Sequence, residues 1–317
     1  MPREQLAVPQ AEFRSYYGKQ ILKTPVWNWM IAAYLFCGGV SAGAAMLAAG
    51  ADLTGRPGLR KVSRIGSLAS ILASLYFLIA DLGRPERFHH MLRVAKPSSP
   101  MSVGTWILSA YGPGAGLAAV AELMPGRLRR TWLGRVVDRA ARPAGLWAAA
   151  TAPGVASYTA VLLSQTAVPA WREAHPYLPF VFTGSAAASG AGLGMLLAPL
   201  DESSPARRMA VLGAGMEVAA SRVMERQLGL SGEAYTTGKV HRLRQLSEVL
   251  TVGGAVGAVI GRNRATVAAS GAALLVGSAL QRFGVFEAGV ASTRDPKYVV
   301  VPQRERLNAE SANPRLL

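Results

Sequence analysis

Long apolar runs separated by short charged stretches set the pattern of this chain. No charged residue occurs from Trp29 to Ala51, Pro97 to Ala121, Pro143 to Trp171 or Pro176 to Leu200. Each run is long enough to cross a hydrocarbon core of about 30 Å, which takes about 20 helical residues. Two shorter runs, Ile65 to Ala80 and Ala265 to Gln281, lie between charges at Arg64 and Asp81 and at Arg264 and Arg282. They span if those long side chains snorkel. Val249 to Gly261 must borrow Leu246 to Glu248 to reach across. Ala206 to Leu228 carries Glu217, Arg222, Glu225 and Arg226 and fails on hydropathy alone.

The pattern therefore predicts eight helices, the sixth being the most polar. The runs lack the two-residue alternation of barrel strands, and lipid leaves only helices or closed barrels for a spanning backbone. The predicted fold is an all-α, polytopic transmembrane bundle. A polar N-terminal segment, 1–26, precedes the bundle, 27–283, and an extramembrane tail, 284–317, follows it.

Composition agrees with a lipid solvent, since only 16% of residues are charged against about 25% in soluble domains. A net charge of +16 would suggest nucleic acid in a soluble protein. Here the basic residues lie in the connections, where anionic headgroups and membrane orientation account for them, so no nucleic-acid partner is expected. The connections after the first, third, fifth and seventh spans, with Arg64 and Arg142, hold 14 of the 34 Lys and Arg. That favours the cytoplasm for this side and places both termini on the other. The N-terminus has no apolar signal-peptide core, so the first span is expected to target the chain to the membrane.

The candidate chemistry is sparse. Four histidines, His89, His90, His175 and His241, all fall in predicted loops on one side, so no axial haem pair is expected. A single cysteine, Cys37, excludes a cysteine-ligated cluster. Glu217 lies near the centre of the sixth span, where a charge costs about 2.5–3.5 kcal/mol. It has two readings, a packing salt bridge with an arginine of a neighbouring helix, or a role in proton or water access. Asp81 ends the second span before Gly83-Arg84-Pro85 and by itself reads as a turn-shaping residue. Trp27, Trp29 and Trp171 read as interfacial belt residues. Tyr34 and Tyr158 lie deeper, where a phenol needs a hydrogen-bond partner, with a backbone carbonyl and a quinone carbonyl as the alternatives. Gly39 with Gly43, and Gly184, Ala188 and Gly192, form small-residue stripes that read first as close helix packing and second as a cofactor groove.

Four strings taken together, YLFCGGVSAGAAML, DLGRPERFHHMLRVAKPSSPMSVGTWILSAYG, SYTAVLLSQTAVPAW and ASTRDPKYVVVPQRER, resemble the NrfD/PsrC family, the membrane subunits of polysulfide reductase, formate-dependent nitrite reductase and related complexes. The resemblance runs from about residue 17 to residue 306, and the loop string with its SPMS element is its most specific part. It implies an eight-helix, quinone-reactive anchor in the bacterial cell membrane, exchanging electrons between menaquinone or ubiquinone and a ferredoxin-like iron-sulfur subunit. It also implies a molybdopterin-type catalytic subunit and no haem or cluster in the chain itself. Tyr158 resembles the tyrosine that the family places at the quinone headgroup. Where polysulfide reductase has a polar Asn and His on the first helix, this sequence has Ile31 and Tyr34, and Ile31 cannot hydrogen-bond. The expected assignments are Tyr158 and Tyr34 at the quinone, and Asp81 and Glu217 on a proton route. Arg84, Arg87, His89, His90, Asp295 and Tyr298 are expected to dock the partner. The alternative is a passive anchor without quinone chemistry. A transporter is not expected, because no paired broken helices occur in two repeated halves.

Overall fold

The structure, a computed structural model, describes residues 20–312. Most of the N-terminal segment, 1–19, and the last residues, 313–317, lie outside them. Among the described residues the chain forms helices and no strand. The long helices are α1 (Trp29–Leu53), α2 (Pro57–Ala80), α3 (Pro100–Leu123), α5 (Trp132–Ser164), α7 (Leu178–Leu197), α8 (Ser204–Gln227), α10 (Gly238–Ile260) and α11 (Arg264–Arg294). Short helices α4 (Gly126–Arg129), α6 (Pro169–Glu173) and α9 (Glu233–Thr236) sit in connections, and α12 (Lys297–Ala312) follows α11.

These eight long helices correspond to the eight expected spans, and together they form an all-α polytopic bundle. Six of them, α1, α2, α5, α7, α10 and α11, are long and apolar enough to cross a membrane. α3 falls short because Gly, Ser, Thr and Pro dilute its apolar residues, although it carries no charge before Glu122. α8 falls short through its charges, as its sequence indicates.

Local chemistry fixes the helix ends. The Asn28 side chain accepts the Met30 N–H at 2.7 Å and starts α1. Gly55, at φ +68°, makes the tight turn into α2, where Pro57 occupies the first turn and needs no N–H partner. Asn263 and Thr266 form a reciprocal capping box on α11.

Consecutive helices pair, α1 with α2, α3 with α5, α7 with α8, and α10 with α11. α7 joins the halves by packing on both α1 and α11. The α1–α7 contact depends on small residues, since a Cβ on Gly43 would overlap the Ala186 carbonyl and one on Gly190 the Gly43 backbone. This is the close-packing reading of the stripe. Gly39 has a further role, because a Cβ there would lie 3.1 Å from the Arg282 guanidinium. The fully buried Tyr111 of α3 binds Ser41 of α1 and Ser67 of α2, each at 2.7 Å.

Two expected snorkelling residues behave otherwise. Arg282 does not bound a span. α11 continues unbroken through it and past residue 283 to Arg294, and its guanidinium is fully buried. Arg64 is also buried, because α2 begins a full two turns earlier and Arg64 pairs with Asp52 at 3.2 Å and Glu122 at 3.0 Å. Arg264 does sit at a helix end, where it donates to the Met195 and Leu196 carbonyls and caps α7.

Candidate functional site

The start of α1, the end of α2, and the α3 and α5 walls enclose a narrow cleft of about 550 Å³, counted out to its mouth. That lies within the range of ligand sites, about 300–1,000 Å³. Ile31 and Tyr34 line it from α1, Leu78 from α2, and Gly104 and Leu108 from α3, while Tyr158 and Leu162 come from α5. Asp81, Leu82 and Met91, beyond α2, complete it with Trp27.

Tyr34 and Tyr158 are 2% and 7% exposed, and their hydroxyls are hydrogen-bonded to one another. The deep phenols therefore meet each other and not a backbone carbonyl. In such a pair one O–H donates to the other oxygen, and the second O–H remains available to donate. The wall behind Tyr158 is Gly104, where a Cβ would run into the ring. The Ser74 hydroxyl donates to the Tyr34 carbonyl at 3.0 Å and holds that turn of α1.

Asp81 stands at the same cleft. Its carboxylate accepts the Asn28 N–H at 3.3 Å, tying the end of α2 to the start of α1, so the turn-shaping reading is also correct. Burial pushes its carboxyl up from the ordinary value, with the Asn28 N–H opposing. Tyr34, Tyr158, Ile31 and Asp81 thus come together from three separate stretches of sequence. Glu217 does not join them. It is 3% exposed on α8, faced by Arg282 and Arg244, and makes no ion pair within 4.0 Å among the described residues.

The sequence reading did not single out Met91, Met101, Gly104, Thr105 or Leu108 as cleft residues. Apart from Met91 they fall in or just after the SPMS string, so that string was the available signal. Trp171 departs from its expected role. It is fully buried and not interfacial, with its Nε1–H donating to the Val285 carbonyl at 2.8 Å and its ring in a slot that Gly289 leaves open. It stacks on Trp27 at 5.9 Å and so links the cleft to α11.

Arg84, Arg87, His89 and His90 are all exposed on a 3-10 helix, Pro85–Leu92, beside the cleft. Asp295 is exposed and accepts the Lys297 N–H at 2.9 Å. Tyr298, in contrast, is 7% exposed and faces inward. Lys297 reaches Glu233 at 2.6 Å, pinning α12 to the α9 segment. His241 lies in the first turns of α10 and not in a loop. Among the described residues no group of three or more His, Cys, Asp or Glu is placed to hold a metal.

The family model described as "Polysulphide reductase, NrfD" matches residues 19–219, well over half of the chain and every residue of the cleft. The chain belongs to the NrfD family. Among curated proteins, this NrfD-family chain is 31% identical over 192 residues to the C component of polysulfide reductase from Wolinella succinogenes, covering 55% of this chain and 58% of that one. It is 34% identical over 91 residues to the C component of selenate reductase from Mesobacillus selenatarsenatis, covering 27% of this chain and 20% of that one. The match thus spans less than two thirds of the length of either relative. With its apolar helices, NrfD membership makes this a multi-pass membrane protein.

Proposed function

We propose that this chain is the quinone-reactive membrane subunit of a respiratory oxidoreductase complex, with the Tyr34–Tyr158 cleft as its quinone site. The observation that carries the reading is the phenol pair in an apolar cleft, with a carboxylate lining the same cleft. A quinone is a flat ring with an oxygen at each end, which suits a narrow slot whose polar groups are few and fixed. The spare phenol O–H donates to one ring oxygen, and the second phenol holds the donor in place.

Quinol oxidation releases two electrons and two protons. The electrons pass to an iron-sulfur subunit docked at the exposed Arg84, Arg87, His89 and His90, with Asp295 as an outlying contact. Asp81 takes up a proton on the way to solvent. Menaquinone and ubiquinone both suit the cleft. The relatives' names, polysulfide reductase and selenate reductase, support a ferredoxin-like partner connected to a molybdopterin-type catalytic subunit, in the bacterial cell membrane with both termini on the non-cytoplasmic side.

The test is quinone-linked turnover of the purified complex carrying Tyr158→Phe. Retained assembly with reduced turnover is the expected result. Full turnover in an assembled variant removes Tyr158 from the site, and a wild-type complex that exchanges no electrons with any quinone analogue leaves a passive anchor.

A further inference from the structure

The half of the bundle built from α7, α8, α10 and α11 contains a polar column that takes no part in the quinone cleft. Glu217, Ser221 and Glu225 lie one turn apart on α8, facing Arg244, Ser247 and Thr251 of α10 and Ser278, Gln281 and Arg282 of α11. Their bonds run between helices. The Gln281 amide donates to Ser221 at 3.3 Å, Ser247 donates to the Gly277 carbonyl at 2.7 Å, and Ser185 of α7 meets Ser278 at 2.8 Å. Arg244, 8% exposed, pairs with Glu225, whose side chain is 35% exposed and reaches solvent on the side of the quinone cleft.

Among the described residues, five buried atoms in this column have no hydrogen-bond partner: Glu217 Oε2, Arg282 Nε and Nη1, Arg244 Nε, and Thr251 Oγ1. Arg282 uses Nη2 to donate to the Phe182 carbonyl at 2.7 Å and lies over the Phe182 ring, which leaves its other nitrogens unused. Glycines border these groups, Gly277 at Thr251, Gly284 at Arg244 and Gly39 at Arg282. Buried polar atoms of this kind are ordinarily met by internal water.

The column ends abruptly in the other direction. The next turns toward the far face carry Leu274, Ala214, Ala210, Ala258, Met195 and Leu47 in one apolar cluster. Hydroxyls at that depth turn back onto their own helices, Ser189 to the Ala186 carbonyl at 3.2 Å and Ser270 to the Thr266 carbonyl at 2.7 Å. Among the described residues no other helix supplies a charge to Glu217. α7 offers Ser185, and on α1 Tyr34 is bonded to Tyr158, Asp52 is paired with Arg60 and Arg64, and Cys37 is a half-buried thiol. The family match stops at residue 219, before Arg244, Thr251 and Arg282.

We propose that α7, α8, α10 and α11 enclose a hydrated half-channel that opens past Glu225 on the cleft side and ends blind at Glu217 and Thr251 against the Leu274–Ala214 cluster. Glu217 exchanges its proton with solvent on that side alone, and the far side is sealed. The proposal does not depend on the quinone assignment.

Two measurements on the full chain test it. Infrared spectra of the chain in nanodiscs are followed after transfer to heavy water, with the Arg282 guanidinium bands identified by difference from Arg282→Lys and the Glu217 carboxyl bands from Glu217→Gln. Prompt exchange is expected, and bands that stay unexchanged until the protein is unfolded overturn the hydrated column. Passive proton leak is then measured in proteoliposomes. Wild type is expected to hold a pH gradient, Leu274→Asn to leak several-fold faster, and Leu274→Asn with Glu217→Gln to return toward wild type. Ala214→Ser is the milder breach should Leu274→Asn not fold. A wild type that leaks as fast as the breached variant, or a breach that changes nothing, overturns the blind end.

Discussion

Two phenol hydroxyls bonded to each other carry two protons, and their mutual bond uses one. The spare proton between Tyr34 and Tyr158 gives the cleft its polarity, so removing either hydroxyl removes the donor or its support. Tyr158→Phe is expected to lower quinone-linked turnover about tenfold, equivalent to one hydrogen bond of roughly 1.4 kcal/mol, with assembly followed by co-purification of the partner. Asp81 adds a pH dependence. It must be ionised to accept a proton, and burial pushes its carboxyl up. Quinol-oxidising turnover should therefore rise with pH through a limb above the ordinary aspartate range and fall as acid protonates the group. Asp81→Asn should flatten that limb in a pH–rate profile. The identities of these three residues were readable from the sequence, because deep phenols and a helix-end carboxylate are unusual in an apolar chain. Their meeting point was not readable, nor was the buried role of Trp171, whose slot exists only because Gly289 stands opposite it.

At the scale of elements, the α1–α7 contact tolerates no added atom at Gly43, where backbone meets backbone. Gly43→Val is expected to destabilise the chain by about 1–3 kcal/mol, read as a lower unfolding temperature in detergent with the helix content of the remaining folded protein unchanged. The 3-10 helix Pro85–Leu92 makes the opposite kind of surface. It buries none of its residues, which leaves Arg84 and Arg87 available to a partner. The pair Arg84→Glu and Arg87→Glu should weaken partner association, and the wild-type affinity should fall with added salt, because exposed charge pairs act chiefly on encounter. The helical segments themselves followed from hydropathy and capping residues. Their boundaries did not follow wherever an arginine intervened, since a charge next to an apolar run looks the same in sequence whether it snorkels or is buried with partners.

Across the whole molecule, eight long helices return the chain to the face from which it enters the bundle. Leu22 and Tyr298 line one groove there, and α11 ends beside α6 and α9. Single cysteines at the exposed positions Lys23 and Gln303, in a Cys37→Ser background, should react with a membrane-impermeant maleimide from the same side. One at Arg130, in the connection after α3, should react from the other. Labelling of all three from one side is incompatible with this arrangement. The opposite end of the bundle is held by a separate device, the buried Asp52 and Glu122 carboxylates shared by Arg60 and Arg64. Losing one member of such a group typically costs about 3–5 kcal/mol.

The sequence by itself determined that this chain lives in lipid as a helical bundle. Apolar length and the need to satisfy backbone hydrogen bonds are properties of each segment alone. It also supplied the family, through strings that stay contiguous in the chain. Only the tertiary structure decided that Tyr34, Asp81, Gly104 and Tyr158 share one cleft while Glu217 stands apart with Arg244 and Arg282. That sorting depends on how each helix is rotated about its axis and on which glycines let backbones approach. Both are set by pairs of residues far apart in the sequence, and neither leaves a mark on any one helix read alone.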